Sequence, residues 1–311
     1  MEIFWNDIQR NINKLRDRIN NDKNILLLTH AGCLDGQGNQ MIFEKTFDKV
    51  FSVRLTPNAV DDYVKCLNVD LFDTIIIADL STSNKEFLAN DNVILIDHHK
   101  SALYLHDPDK LCFVYLFACG TKLTKMILSA ILRDDLKKFN DFAYLINDND
   151  LFILEDERSI KLNSCYKRLG DEKFQEKYWN FGKITFTEED NKAFAEERLE
   201  IQKLVDAAEY FISEDLNIGY MIFLGYNNEM VHEIMMKEKL DAFVTWNPTN
   251  GRGSIRSTNL LMKSGQMLSD MGIGGGHDAA AGFRLETAEE FQHFIDLTEK
   301  YIKDKFNSLK A

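Results

Sequence analysis

The chain opens with a helical pattern and continues with short apolar runs. Over the first 20 positions, apolar residues recur at roughly helical spacing, at positions 3, 4, 8, 12, 15 and 19. Four β-rich runs follow, at residues 24–29, 50–53, 74–78 and 92–96. Continuous apolar runs are typical of strands that are buried on both faces. The intervals between them, such as 39–47 and 61–71, are long enough for crossover helices. This alternation predicts an α/β domain with a parallel β-sheet flanked by helices.

The pattern changes twice in the second half of the chain. Helical spacing covers about residues 120–152 and is strong over 187–212, while strand-like runs return at 219–224 and 242–246. We therefore predict an N-terminal α/β domain at 1–185, a linker helix at 186–213 and a smaller C-terminal α/β domain at 214–311. The stretch 155–182 is polar with scattered aromatic residues, and its pattern indicates no particular role.

The charge balance restricts the kind of nucleic acid that the protein could bind. The 311 residues include 50 Asp and Glu against 37 Lys and Arg, which gives a formal net charge of −13. Proteins that grip long DNA or RNA usually carry a basic stripe, because phosphate neutralisation supplies much of their affinity. No such stripe is visible, so a long nucleic acid is not expected as a partner. Bound divalent cations could still supply positive charge locally for a small anionic substrate.

Cysteine usage and hydropathy bear on the compartment. The five cysteines are scattered and contain no CxxC pair, which fits a reducing cytoplasm better than a disulfide framework. The first residues lack a signal-peptide layout, and the longest apolar runs span only a few residues. We expect a soluble cytoplasmic protein with no membrane partner.

Polar, metal-binding residue types follow the apolar runs. These positions are His30 and Asp35, then Asp79, then Asp97-His98-His99, and finally Asn147-Asp148-Asn149-Asp150 after the apolar run 142–146. In an open parallel sheet, ligands bind beyond the carboxyl ends of the strands. A single Asp after a strand is more often a helix cap or a turn residue, but four such sites in sequence favour one shared crevice. Histidine with carboxylates suits divalent metals such as Mn²⁺ or Mg²⁺.

Two sets of residues carry a resemblance to a known family. Asp97-His98-His99 resembles the motif that names the DHH phosphoesterase superfamily, and His30 with Asp35-Gly36, Asp79, and Asp148 or Asp150 resemble its first, second and fourth motifs. In the second half, the segment GIGGGHDAAAG at 272–282 looks like the glycine-rich signature of the DHHA1 domain. Residues 254–257 are similar to the substrate-contacting Arg segment of that domain. The resemblance covers about residues 24–285 with both motifs in the expected order.

The resemblance implies a set of functional residues. It implies two divalent cations, with Mn²⁺ expected and Mg²⁺ or another divalent ion as the alternative. Their ligands would be His30, Cys33, Asp35, Asp79, His98 and Asp148. The catalytic residues would be Asp97 and His99, with His99 contacting the phosphoryl oxygens or protonating the leaving alkoxide. The substrate-binding residues would be Arg256, Ser257, Gly274, Gly275, Gly276 and His277.

The first motif departs from the family pattern at one position. The superfamily usually has a His followed by two aspartates, whereas only Asp35 follows His30 closely here. Cys33 is the nearest candidate for the missing ligand, and a thiolate would shift the metal preference toward softer ions such as Zn²⁺ or Fe²⁺. The alternative is that Cys33 only packs at the turn.

The resemblance also implies a substrate class. The chain is similar to the nano-RNases, phosphodiesterases that hydrolyse RNA of two to five nucleotides, or linear dinucleotides such as pGpG and pApA, to nucleoside monophosphates. One alternative is a phosphatase acting on 3′-phosphoadenosine phosphate, and another is a cyclic-dinucleotide phosphodiesterase. An alternative of another class is a degenerate nucleotide-binding sensor without catalysis. The choice between RNA and DNA and the presence of a homodimer stay open.

Overall fold

The computed structural model describes residues 1–132, 136–213, 215–224, 228–258, 262–276 and 278–308. Contacts within the chain divide it into two compact units, Met1–Asp190 and Asn191–Ala311. We describe each unit by itself. None of the helices in the described ranges combines the length and apolar character that a membrane span requires.

The first unit is built around a parallel sheet. Its strands are β1 (Ile25–His30), β2 (Val50–Leu55), β3 (Thr74–Ala78), β4 (Val93–Asp97) and β5 (Cys112–Val114). They lie in the order β2-β1-β3-β4-β5, and all neighbouring strands are parallel. Its helices are α1 (Glu2–Arg18), α2 (Leu34–Thr46), α3 (Val60–Cys66), α4 (Lys85–Leu88), α5 (Gly120–Leu132), α6 (Asn140–Asp150) and α7 (Glu157–Tyr178). The predicted fold class is confirmed.

The sheet is buried on both faces, which explains its continuous apolar runs. Every residue of β3 and β4 is buried, and separate apolar clusters cover the two faces of the sheet. On one face, α1 presents Phe4, Ile8 and Leu15 at helical spacing, and all three are fully buried. Each such side chain contributes about 1.5–3 kcal/mol of burial free energy. Because the strands are parallel, the residues that follow β1, β3 and β4 meet at one edge of the sheet.

The structure differs from the sequence-based expectation at three places in this unit. Strand β5 has three residues, which is too short to produce a recognisable pattern. The apolar run 142–146 and the fourth motif at 147–150 both lie in α6, so this motif ends a helix and does not follow a strand; a short apolar run alone does not distinguish the two. The uninterpreted stretch 155–182 consists mainly of α7, which is kinked at Gly170, where φ is 72°.

The second unit carries a mixed sheet. The helix α8 (Glu188–Ala207) leads into it, followed by α9 (Asn228–Glu238), α10 (Ser264–Asp270) and α11 (Ala288–Ser308). Its strands are β6 (Phe211–Ser213), β7 (Ile218–Ile222), β8 (Ala242–Trp246), β9 (Arg252–Ser257), β10 (Gly274–Gly276) and β11 (Ala280–Arg284). They lie in the order β10-β11-β9-β8-β7-β6, and only the β7–β8 pair is parallel.

The glycine-rich segment forms part of this sheet. The small residues at 279–281 favour entry into a tightly packed helix, but β11 begins there instead. The glycines permit a close strand pair: a Cβ on Gly274 would lie 2.1 Å from the carbonyl oxygen of Gly282. Gly276, with a φ of 142°, would likewise bring a Cβ within 2.7 Å of the carbonyl oxygen of Ala280. These two glycines are therefore required by the β10–β11 pairing itself.

Candidate metal centre

The carboxyl edge of the parallel sheet gathers histidine, cysteine and aspartate side chains from four segments. Among the described residues, their ligand atoms form three overlapping groups in which all atoms lie within 4.8 Å of one another. These groups are His30, Cys33 and Asp79; then Asp35, His98 and Asp150; and then Asp79, Asp97, His98 and His99. The groups share Asp79 and His98, so they form one centre with two neighbouring positions for a cation.

Asp79 lies at the middle of this centre in an unusual backbone conformation. It directly follows β3, is 1% exposed and has a φ of 58°. A left-handed conformation is uncommon for a residue other than glycine and is concentrated at functional sites. Its Oδ2 lies 3.5 Å from Nδ1 of His30 and 3.2 Å from Sγ of Cys33, while its Oδ1 lies 3.1 Å from Nε2 of His98. One carboxylate thus faces both cation positions.

Cys33 has two roles that are compatible with each other. Its sulfur accepts a hydrogen bond from the N–H of Gly36 at 3.1 Å and so caps α2. The same sulfur belongs to the group with His30 and Asp79. Burial, with Asp79 and Asp35 nearby, raises the pKa of the Cys33 thiol. A thiolate at this position would therefore need a cation beside it.

Asp35 is held by the beginning of helix α5. Its carboxylate accepts hydrogen bonds from the N–H groups of Gly120 at 2.7 Å and Thr121 at 2.8 Å. Burial, together with the charges of Asp79 and Asp150, raises the pKa of Asp35 to about 8. A Cβ on Gly120 would lie 2.9 Å from Oδ2 of Asp35, so glycine is needed for this approach. The signal for this glycine in the sequence is its place at the start of a helical pattern, and it is not among the predicted site residues.

The fourth motif contributes Asp150 and not Asp148. Oδ2 of Asp150 lies 3.5 Å from Nε2 of His98. The carboxylate of Asp148 instead accepts hydrogen bonds from the N–H groups of residues 155 and 156, both at 3.2 Å, and from the hydroxyl of Ser159 at 2.6 Å. Side chains two residues apart on a helix point in different directions, at about 100° per residue. The structure therefore brings Asp150, and not the predicted ligand Asp148, into the candidate centre.

Asp97 and His99 form a hydrogen-bonded pair at the end of β4. Oδ1 of Asp97 lies 2.8 Å from Nδ1 of His99 and also accepts the N–H of His98 at 2.7 Å. Asp97 is fully buried, whereas the side chain of His99 is 35% exposed. Burial lowers the pKa of His99, but Asp97 raises it more, so the net shift is upward. The pair can hold a proton on a partly exposed imidazole.

The charges of the centre fit divalent cations. In the described ranges, no lysine or arginine forms an ion pair with Asp35, Asp79 or Asp150. Burial lowers the pKa of His98, but Asp150 and Asp79 raise it more, to about 10. Within the same ranges, the buried atoms Oδ2 of Asp97 and Oδ2 of Asp150 have no hydrogen-bond donor. Buried carboxylate oxygens without donors are costly, and a bound divalent cation would satisfy them.

In the second unit, part of the predicted substrate-binding set lines a cavity of about 400 Å³. Ser254 and Arg256 lie on one face of β9, and Gly275 and Gly276 form another side of the cavity. Nη2 of Arg256 donates a hydrogen bond to Oδ1 of Asn228 at 2.7 Å. The cavity therefore combines a guanidinium with open backbone, an arrangement that suits an anionic ligand.

Two other members of that predicted set, Ser257 and Gly274, do not line the cavity. Ser257 is 2% exposed, and its hydroxyl donates to the carbonyl oxygen of Asp241 at 3.1 Å. It lies on the opposite face of β9 from Arg256, because side chains alternate along a strand. Gly274 is also not among the residues that line the cavity. His277 lies outside the described residues.

Comparison with known proteins gives a result at the level of structure. Neither a protein-family model nor a curated protein matches the sequence. Among solved structures, the chain is similar to manganese-bound RecJ from Thermus thermophilus, with 15% identity and a TM-score of 0.59 over 95% of this chain and 54% of that chain. This chain thus spans about half the length of that protein.

Two further solved structures resemble this chain over most of their own length. One is the DHH domain of a member of a ribosomal-protein family, with 14% identity and a TM-score of 0.59 over 97% of this chain and 91% of that one. The other is PggH from Vibrio cholerae, a pGpG-specific phosphodiesterase, with 11% identity and a TM-score of 0.54 over 90% of this chain and 99% of that one. The chain therefore has the fold of the DHH-domain proteins, with Asp97-His98-His99 at the end of its fourth strand.

Proposed function

We propose that the protein is a divalent-metal-dependent phosphodiesterase that hydrolyses short nucleic-acid substrates. The observation that carries this proposal is the buried centre in which Asp79 and His98 are shared between overlapping ligand groups. Among the described residues, three carboxylates that are buried or partly buried share one histidine and no lysine or arginine, an arrangement that has no structural advantage of its own. It is typical of a site that holds cations for catalysis.

The residues of the centre have two kinds of proposed role, which are cation binding and proton transfer. His30, Cys33 and Asp79 would hold one cation, and Asp35, Asp79, His98 and Asp150 the other. When bound, the two cations supply positive charge to the phosphoryl oxygens and lower the pKa of a nearby water. His99 holds a proton that it can deliver to the leaving alkoxide, and Asp97 keeps its imidazole in one orientation through Nδ1.

The identity of the cation depends on Cys33. We propose Mn²⁺, as in the RecJ structure named above, with Mg²⁺ as the harder alternative. A thiolate ligand would instead favour Zn²⁺ or Fe²⁺, because soft donors prefer softer ions.

Cys33→Ser is expected to change the metal preference more than the fold. Replacing the sulfur by a hard oxygen should weaken Zn²⁺ binding about tenfold relative to Mn²⁺ binding. This is the lower end of the changes in metal affinity that follow substitutions around metal ligands. Competition with a chromophoric chelator measures both affinities. Cys66→Ser, at an exposed cysteine of α3, is the matched control. An unchanged Zn²⁺ to Mn²⁺ affinity ratio would show that Cys33 only caps α2.

The substrate class rests on charge and on the cavity of the second unit. The net charge of −13 disfavours a long polyanion, whereas the cavity offers Arg256 and Arg252 to a small anionic ligand. We propose RNA of two to five nucleotides or linear dinucleotides such as pGpG and pApA as substrates, with nucleoside monophosphates as products. The specificity of the similar Vibrio cholerae protein for pGpG is consistent with this size.

Arg256→Ala is expected to raise KM for a dinucleotide far more than for a phenyl phosphoester. A hydrogen bond to a charged group contributes about 1.5–3 kcal/mol, so the rise for the dinucleotide should be on the order of 10- to 100-fold. The phenyl phosphoester lacks the second nucleotide and should be nearly unaffected. Arg284→Ala is the matched control, because Arg284 lies on the neighbouring β11, pairs with Glu286 and does not line the cavity. Equal KM changes for both substrates would contradict the proposal that this cavity binds part of the dinucleotide.

The proposed function is tested by following products over time. Labelled RNA and DNA of two to ten nucleotides would be incubated with Mn²⁺ or Mg²⁺, beside pGpG, a cyclic dinucleotide and 3′-phosphoadenosine phosphate. We expect monophosphates from the shortest oligomers and from linear dinucleotides. Release of inorganic phosphate from 3′-phosphoadenosine phosphate alone would favour a phosphatase. Nucleotide binding without turnover at any metal concentration would favour a sensor and contradict the proposal.

A further inference from the structure

Arg54 is a partly buried cation beside the ligand group of His30, Cys33 and Asp79. It lies near the end of β2, next to β1 in the sheet, and its side chain is 11% exposed. Its guanidinium donates to the carbonyl oxygen of His30, at 2.9 Å from Nη2 and 3.2 Å from Nε. Nη2 also donates to the carbonyl oxygen of Cys33 at 3.1 Å. One side chain therefore binds both ends of the loop formed by residues 30–33, which carries two of the candidate ligands.

The 30–33 loop has little regular structure to hold it in place. It leaves β1 after His30, passes through Gly32 in a left-handed conformation with a φ of 73°, and ends where Cys33 caps α2. The N–H of Ala31 donates to the carbonyl oxygen of Leu55 at 2.9 Å. The end of β2 thus holds the loop through its backbone and, one residue earlier, through the side chain of Arg54.

The guanidinium of Arg54 also contacts helix α7. Nη2 of Arg54 donates to the hydroxyl of Tyr166 at 3.0 Å, and Nη1 forms an ion pair with Asp171 at 3.1 Å. Burial raises the pKa of Tyr166 to about 12, so the phenol stays protonated and donates to Asp171 at 2.8 Å. The kink of α7 at Gly170 directly precedes Asp171. The helix therefore presents an acceptor pair to Arg54.

A second set of polar contacts ties α7 to α2. Nη1 of Arg54 also donates to Gln37, whose own amide donates to Gln175 at 3.1 Å. Gln175 in turn donates to Glu44 at 2.8 Å. The polar face of α7 is thus part of the same network as the 30–33 loop. This gives a role to the stretch 155–182, for which the sequence pattern indicated none.

We propose that Arg54 is the positioning residue for the first cation, because it fixes the backbone of His30 and Cys33 and so places their ligand atoms beside Asp79. The inference rests on the proposed function. Arg54 does not touch the ligand atoms and acts through two carbonyl groups. The planar guanidinium binds several acceptors at fixed angles, which a lysine ammonium cannot reproduce. Residues that orient ligands from the outside typically change metal affinity 10- to 100-fold when replaced.

Cobalt binding tests this role independently of turnover. A thiolate bound to Co²⁺ gives a sulfur-to-cobalt charge-transfer absorption, so titration of the metal-free protein with Co²⁺ reports directly on Cys33. We expect wild type to show the band, Cys33→Ser to lack it, and Arg54→Met to need about 10- to 100-fold more Co²⁺ to develop it. Arg54→Lys should fall between Arg54→Met and wild type.

Two further variants separate positioning from stability. Arg16→Met is the matched control, because Arg16 also donates to two backbone carbonyls, those of Ile131 at 2.8 Å and Ala130 at 3.4 Å, but does not contact the 30–33 loop. It should leave the cobalt titration unchanged. Asp171→Asn removes the negative charge that pairs with Arg54, at a side chain that is 49% exposed, so the fold should be retained even where Arg54→Met fails to fold. Asp171→Asn should weaken Co²⁺ binding at the position formed by His30, Cys33 and Asp79 several-fold.

The outcomes distinguish this inference from the proposed function. Wild-type cobalt titrations in Arg54→Lys and Asp171→Asn would overturn the positioning role while leaving the phosphodiesterase proposal intact. Failure of wild type to bind Co²⁺, Mn²⁺ or Mg²⁺ would overturn both. A weakened first site in Arg16→Met equal to that in Arg54→Met would assign the effect to general stability and contradict the inference.

Discussion

Asp79→Asn is expected to remove both cations and to lower kcat/KM by at least about 1,000-fold. A bound cation contributes several kcal/mol to transition-state stabilisation. Each 1.36 kcal/mol of that stabilisation corresponds to about a tenfold change in rate. The carboxylate of Asp79 faces His30 and Cys33 on one side and His98 on the other. An amide keeps one oxygen but loses the charge that both positions share. Asparagine also tolerates the left-handed backbone at this residue, so the fold should survive.

Metal content distinguishes a shared ligand from an ordinary one. Calorimetric titration with Mn²⁺ should give two bound ions for wild type and none of comparable affinity for Asp79→Asn. The matched control is Asp73→Asn. Asp73 directly precedes β3, whereas Asp79 directly follows it. One ion bound by Asp79→Asn with wild-type affinity would show that Asp79 serves a single position.

Asp150→Asn and Asp148→Asn are expected to have opposite effects, although the two residues are nearly adjacent in sequence. Asp150→Asn should lower activity more than about 100-fold, beyond the range seen for residues that only support a ligand, and should stabilise the metal-free protein by about 1 kcal/mol. Three carboxylates share the single charge of His98, so removing one relieves repulsion more than it weakens pairing.

The gain in stability for Asp150→Asn should depend on pH in a defined direction. Burial raises the pKa of Asp150, His98 opposes the rise and Asp79 adds to it, with a net upward shift. Because the pKa of Asp150 is higher in the folded state than in the unfolded state, ionising Asp150 lowers the free energy of unfolding. This loss appears as pH rises from the unfolded-state pKa to the folded-state pKa. The advantage of the variant should therefore be present at neutral pH and vanish at acid pH, where Asp150 is protonated in both states.

Asp148→Asn should instead destabilise the fold by about 1–3 kcal/mol, the cost of leaving buried donors unsatisfied. An amide offers one acceptor oxygen where the carboxylate now receives two backbone N–H groups and the hydroxyl of Ser159. Urea unfolding with a chelator present, measured beside kcat/KM at several pH values, tests both variants. Loss of metal binding in Asp148→Asn with Asp150→Asn unchanged would restore the assignment made from the sequence.

The sequence by itself determined where the first three motifs lie and that they meet. His30, Asp79 and Asp97-His98-His99 each follow or end a run of apolar residues that is buried on both faces. Parallel strands bring their carboxyl ends to one edge, so the order along the chain already implies proximity in space. The same patterning predicted the α/β class, because the apolar runs and the intervals between them carry that information locally.

Only the tertiary structure decided the features that depend on side-chain direction and on distant contacts. The placement of Asp150, and not Asp148, beside His98 required knowing how helix α6 is oriented against the sheet. The placement of Ser257 away from the cavity depended on which face of β9 the apolar core covers. Arg54 contacts Gln37 on α2 and both Tyr166 and Asp171 on α7, all far from it in sequence. Local patterns contain no information about partners at such separations, since only the packing of α7 and α2 brings them together.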